Sequence, residues 1–117
     1  MKAININDRS SPFTDWILDG KKTIETREKN TLKSLVGQRV GIIQTGCGKA
    51  KLVGYVTVSG VIKYETESEF REDESRHLVN PGSKYDIKTI KYGYVLAEPE
   101  RCEPKLITSK GVVIRNI

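Results

Sequence analysis

Gly20-Lys21-Lys22-Thr23-Ile24-Glu25-Thr26-Arg27 follows directly on a short apolar helix signal, Pro12 to Asp19, and has the character of a strand. Side chains alternate between the two faces of an extended strand. Glu25 and Arg27 therefore share one face, and Ile24 takes the other. A carboxylate and a guanidinium two strand positions apart reach each other, and Lys22 stands at the strand entrance. The result is a compact cationic site with one built-in acid. Such a site suits a phosphate or a nucleotide better than an apolar ligand.

On the N-terminal side, Lys2–Asn7 alternates Ala3 and Asn5 with Ile4 and Ile6, the pattern of a first strand. Ser10 or Ser11 is placed to cap a helix starting at Pro12, a residue pre-set for the first helical turn. Phe13, Trp16, Ile17 and Gly20 follow helical spacing, so one face packs and Gly20 ends the helix. Phe13 and Trp16 read there as core rather than as base-stacking platforms.

On the C-terminal side, Glu28–Val36 is polar and reads as a loop. Val40–Thr45 is nearly continuously apolar, as in a strand buried on both faces. Thr45-Gly46-Cys47-Gly48-Lys49 is a turn and not a phosphate-cradling loop. That motif needs a Gly where Ile43 stands and a Ser or Thr where Ala50 stands. Leu52–Tyr64 is a strand with bend points at Gly54 and Gly60. Thr66-Glu67-Ser68-Glu69 is a capping box for a helix running to about Leu78. Asn80-Pro81-Gly82 is a turn, and Tyr92–Ala97 and Val112–Asn116 are closing strands. Ile24, Val40, Ile42, Val56 and Val95 are the expected interior. The fold class is α+β: a mixed β-barrel of five or six strands with two or three short helices, in one domain spanning 1–117.

At 117 residues the chain is long enough for one core. No apolar run approaches the ~20 residues that span a bilayer. Met1-Lys2-Ala3-Ile4-Asn5 lacks the apolar stretch of a secretory signal, so a cytoplasmic location is expected. Cys47 and Cys102 fit that compartment as free thiols, and with the single His77 they fall short of a four-ligand zinc site. No metal and no cofactor are expected. The net charge of +5 hides a polarity. Six of the 15 acids lie between Glu65 and Glu74, and without that stretch the chain carries 19 bases against 9 acids. A basic body favours anionic partners, while the acidic helix has a structural explanation in its own dipole.

The pattern Gly20-x-Lys22-x-x-Glu25-x-Arg27 resembles the G-x-K-x-x-E-x-R signature of ASCH domains, members of the PUA-like β-barrel superfamily associated with RNA binding. The resemblance extends to the helix before the signature and to three later segments. These are Gly37-Gln38-Arg39-Val40-Gly41-Ile42-Ile43, Val53-Gly54-Tyr55-Val56-Thr57-Val58, and Tyr92-Gly93-Tyr94-Val95-Leu96. It implies a PUA-like barrel with a ligand cleft between the first helix and the barrel. Gly20, Lys22, Glu25 and Arg27 carry over as ligand-binding residues. Ser11, Thr45 and Tyr92 are added because their segments should flank the cleft. The implied partners are single-stranded RNA, a nucleotide or a modified nucleoside.

Two enzymatic branches of the family bear on the reading. One consists of amidohydrolases acting on acetylated cytidine through Lys, Thr and Glu. Glu25 fills the position of that Thr here, and neither Thr23 nor Thr26 stands at it, so this activity is not expected. The other branch cleaves single-stranded RNA. If the site is catalytic without metal, as a ribonuclease or a nucleoside hydrolase, Glu25 is the candidate base and Lys22 with Arg27 the cations. His77 sits in the acidic region and is a poor catalytic candidate. A protein-interaction domain that docks through the acidic helix is the third reading.

Overall fold

The computed structural model describes all 117 residues. Strands β1 (Lys2–Asn7), β2 (Ile24–Arg27), β3 (Arg39–Thr45), β4 (Lys51–Tyr64), β5 (Lys91–Leu106) and β6 (Ile114–Asn116) alternate with helices α1 (Phe13–Leu18), α2 (Glu67–Glu72) and α3 (Glu74–His77). The strands form one mixed sheet in the order β2-β5-β4-β3-β1-β6. β1 runs parallel to β3, and the other pairings are antiparallel.

β4 and β5 are the long spine of the sheet. Their register shifts between Leu52 and Gly54, between Tyr55 and Thr57, and between Val58 and Gly60. Such irregularities bend a strand and raise its twist. Gly54 sits where one shift brings backbones together: a Cβ there would lie 2.5 Å from the Glu100 carbonyl oxygen and 2.6 Å from Leu18. The edge strands β2 and β6 are not paired with each other, so the barrel is open along one seam. The curl nevertheless carries β2 round to β1, because Arg27 Nη2 donates to the Asn5 carbonyl oxygen at 2.9 Å.

The main core joins Ile4, Ile6, Ile17, Val40, Ile42, Val56, Val58, Tyr94 and Leu96. Ile24, Val40, Ile42 and Val56 are inside as expected, at 0% exposure. Val95 is only half-buried, because β5 turns its neighbours Tyr94 and Leu96 inward and leaves Val95 on the opposite face. The polar segment 28–36 is more than a loop. It holds a short 3₁₀ turn, Lys33–Leu35, whose flanking Leu32 and terminal Leu35 plug the core. Leu32 N–H is held in turn by the Tyr94 hydroxyl at 3.2 Å.

Two local expectations are corrected. Neither Ser10 nor Ser11 caps α1. Asp8 does that work, accepting from Thr14 N–H at 3.0 Å and from the Thr14 hydroxyl at 2.5 Å. A carboxylate at the end of β1 reaches the first turn directly, which leaves the serines without a capping role. The acidic region is not one continuous helix to Leu78. Thr66 does accept from Glu69 N–H at 3.1 Å, but Asp73 breaks the helix into α2 and α3. Its carboxylate is pinned by the Tyr64 hydroxyl at 2.6 Å and by Arg76 at 3.3 Å.

Candidate nucleic-acid site

The turn after α1 aims the chain into β2. Gly20 has φ of +79°, and its N–H bonds to the Ile17 carbonyl at 3.1 Å while Lys21 N–H reaches Trp16 at 2.9 Å. A left-handed residue with these two bonds closes a helix C-terminus, and glycine adopts it without strain. Lys22 is thereby swung inward. β2 then pairs with β5, Glu25 opposite Tyr94 and Arg27 opposite Tyr92, with Ile24 in the core.

The open seam holds a cavity of about 570 Å³. β1 contributes Asn5 and Asn7, β2 contributes Glu25, Thr26 and Arg27, and β3 contributes Thr45. Lys22, Lys91, Phe13, Lys84, Tyr85, Val112 and Val113 complete much of its wall. The cavity occupies the gap left by the unpaired strand edges, and α1 supplies only Phe13 to it.

Lys22, Glu25, Arg27 and Thr45 are brought together here. Gly20 shapes the approach but does not line the cavity. Ser11 lines a neighbouring cavity instead. Tyr92 is half-buried and packs against the main core. Phe13, expected in the core, packs against it while half-buried at the cavity wall, and Trp16 is half-buried and borders the neighbouring cavity.

The charges are unevenly matched. Arg27 is committed to Glu25, with Nε to Oε2 at 3.1 Å and Nη2 to Oε2 at 3.0 Å. Lys22 and Lys91 are each only 3% exposed, yet both border the cavity and neither ammonium has a carboxylate in ion-pair contact. Lys22 donates instead to the His77 carbonyl oxygen, and its ammonium stands 5.4 Å from the centre of the Phe13 ring. Burial pushes the pKa of Lys22 down, opposed by Glu25 and reinforced by Lys91 and Arg27. Burial also lowers that of Lys91, opposed by Glu28 and Glu25. Glu28 itself pairs with Lys88 at 3.6 Å.

His77 is structural. Its Nδ1 accepts from Val79 N–H at 3.0 Å, so Nε2 carries the proton and donates to the Phe70 carbonyl at 2.7 Å. The ring stacks on Phe70 with centroids 4.0 Å apart.

The segment carrying Lys84 and Tyr85 has no regular secondary structure, and Arg71 anchors it. One guanidinium bonds Glu74 at 2.5 Å, the Val79 carbonyl at 2.9 Å and Asp86 at 2.8 Å. Asp86 in turn accepts from Gly82 N–H at 2.7 Å and Ile87 N–H at 2.8 Å. Lys84, Tyr85, Lys91 and the two asparagines are not legible in the sequence as residues of this cavity. Lys91 carried one faint signal, a lysine opening a strand whose next residues are Tyr-Gly-Tyr.

The ASCH domain family matches residues 10–105 of this chain. The chain belongs to the ASCH domain family. Its fold is that of the ASCH protein of Zymomonas mobilis, whose crystal structure is 16% identical, with a TM-score of 0.75 over 91% of this chain and 73% of that one. A tyrosine-to-phenylalanine variant of that protein gives 17% identity and a TM-score of 0.75 over 91% and 75% of the two chains. A serine-to-alanine variant gives 20% and 0.71 over 88% and 71%. No curated protein matches the sequence. No helix is long and apolar enough to cross a membrane.

Proposed function

We propose that the seam cavity binds single-stranded RNA or a nucleotide, with a phosphate seated between Lys22, Lys91 and Arg27. The observation that carries this is a pair of buried lysines, Lys22 and Lys91, on the cavity wall with no carboxylate in ion-pair contact. A buried charge left unpaired is costly, and a bound anion removes that cost. Five cations and two acids border the cavity, so an anion is attracted and a second carboxylate is not. Its volume of about 570 Å³ is within the range of small-molecule sites. Membership of a family associated with RNA binding adds the nucleic-acid identity of that anion.

Catalysis at the same site is the second reading, and one feature favours it. Only one Glu25 oxygen is held by Arg27, which leaves the other able to take a proton from a 2′-hydroxyl. The acidic segment offers less to a partner than its composition suggests, since the carboxylates of Asp73, Glu74 and Glu69 already accept bonds within the chain. Incubating the purified protein with short single-stranded RNAs in the presence of chelator, with and without Glu25→Gln, separates binding from cleavage. Binding that survives Glu25→Gln, with no cleavage in either protein, supports a binder. Cleavage by the parent that Glu25→Gln abolishes makes it a ribonuclease. No binding by either protein contradicts both.

A further inference from the structure

Beside the seam lies a second cavity, of about 630 Å³, between α1, α3 and the segment around Ser83. The two cavities share one wall, formed by Phe13, Val79, Lys84 and Tyr85. Its two aromatic rings are in contact, and Trp16 extends them into the second cavity. Phe13 meets Tyr85 edge to face at 5.7 Å on one side and Trp16 at 5.6 Å on the other. Lys84 lies 5.0 Å from the Tyr85 ring.

Trp16 stands out within this arrangement. It is half-buried, borders only the second cavity, and belongs to none of the three apolar clusters that build the interior. An indole that the core does not use, beside the hydroxyls of Ser10 and Ser11, is a surface for a flat ring with polar edges. The cavity's one acid, Glu74, is already held by Arg71 at 2.5 Å. Lys84 is thus its cation, and it stands on the boundary with the seam.

We propose that the second cavity is a stacking subsite for a neighbouring base of the same single strand, so that the natural ligand is an oligonucleotide and not a free mononucleotide. The linkage between the two nucleotides passes over the shared wall at Lys84. One base occupies the seam beside Phe13 and Tyr85, and the next stacks on Trp16. This rests on the reading of the seam cavity as the phosphate site, and it adds ligand length and the part played by α1. Base-on-aromatic stacking tolerates every base, so the subsite confers length dependence more than sequence preference.

Trp16 is the only tryptophan of the chain and borders only this cavity, so its emission is a direct probe of the subsite. Uridine 5′-monophosphate and a five-residue oligouridylate are titrated into the parent, Trp16→Leu and Trp16→Phe, with affinity read by calorimetry and emission read for the parent. Melting temperatures of the variants check that they fold. The expected result is an oligonucleotide at least about tenfold tighter than the monophosphate and quenching of Trp16 by the oligonucleotide alone. Trp16→Leu should weaken the oligonucleotide roughly 5- to 100-fold, with the monophosphate unaffected and Trp16→Phe largely restoring affinity. Equal affinities for the two ligands with unchanged Trp16 emission overturn the subsite while leaving the seam reading in place. No binding of either ligand overturns the seam reading and the subsite with it.

Discussion

The Lys22 ammonium donates to the main-chain carbonyl of His77, 55 positions further along the chain. This bond ties the entrance of β2 to the end of α3 and holds a positive charge in the wall of the seam. Such a lysine is either a strut or a binding group, and the two differ in what its loss does. Lys22→Met keeps the apolar stem and removes the charge. The carbonyl left unpaired costs about 1–3 kcal/mol, while removing a buried charge without a carboxylate partner returns a similar amount. Stability should therefore stay within about 1 kcal/mol of the parent in a denaturant titration, while ligand affinity falls about tenfold or more. A stability loss above about 2 kcal/mol with affinity intact would make Lys22 a strut.

Acid should loosen the corner that His77 fills. Burial lowers its pKa below the ordinary 6.5, opposed by its bond to Phe70 and by Asp73 and reinforced by Lys22 and Arg71. The unfolded chain takes up the proton first. The stability that His77 confers is complete above about pH 6.5 and is lost as pH falls toward the lowered folded-state value. One proton limits this slope to about 1.4 kcal/mol per pH unit. Denaturation midpoints between pH 7.5 and 5 should fall more steeply for the parent than for His77→Gln. Identical slopes would show that His77 does not carry the effect.

Gly54→Ala should destabilise the protein by about 1–3 kcal/mol, because the added methyl meets a main-chain oxygen that cannot rotate away. Gly60→Ala is the control, since nothing lies within 4 Å of a Cβ there. Calorimetric melting of the two variants checks the contrast, and equal losses would place the bend of β4 elsewhere.

Acetylated cytidine should not be hydrolysed. Glu25 stands where the amidohydrolase branch has a threonine, and it is held by Arg27 at 3.0 Å. Incubation with N4-acetylcytidine should release no acetate. If acetate appears, Thr26 is the first residue to replace, because it borders the cavity.

The strand bearing Glu25 and Arg27 was legible because the two-residue alternation and the glycine before it are local signals. The order of strands followed from apolar runs broken by glycines. What escaped was set by contacts distant in sequence. Lys91 reaches the seam cavity only when the sheet curls β2 toward β1, and Tyr85 only when Arg71 ties its segment down. Leu32 and Leu35 were hidden in a polar stretch too short to show a period. The helix break at Asp73 falls where its carboxylate accepts from the Tyr64 hydroxyl, a contact that no helix pattern contains. The open seam was missed for a related reason: strand patterns show which residues pair, but not whether the two edges of the sheet meet.

The central claim, that the seam holds a phosphate of a single strand, is tested most directly by the salt dependence of binding. Affinity for a five-residue single-stranded RNA is measured at two salt concentrations for the parent, Lys91→Met, Lys22→Met and Arg27→Lys. Each phosphate contact contributes about 0.7 to the logarithmic slope for a single strand. The account predicts weaker binding by all three variants. It also predicts a slope lower by about one contact for each lysine variant and an unchanged slope for Arg27→Lys, which keeps the charge but loses the planar fork. Parent-like affinity and slope in all three variants would contradict it.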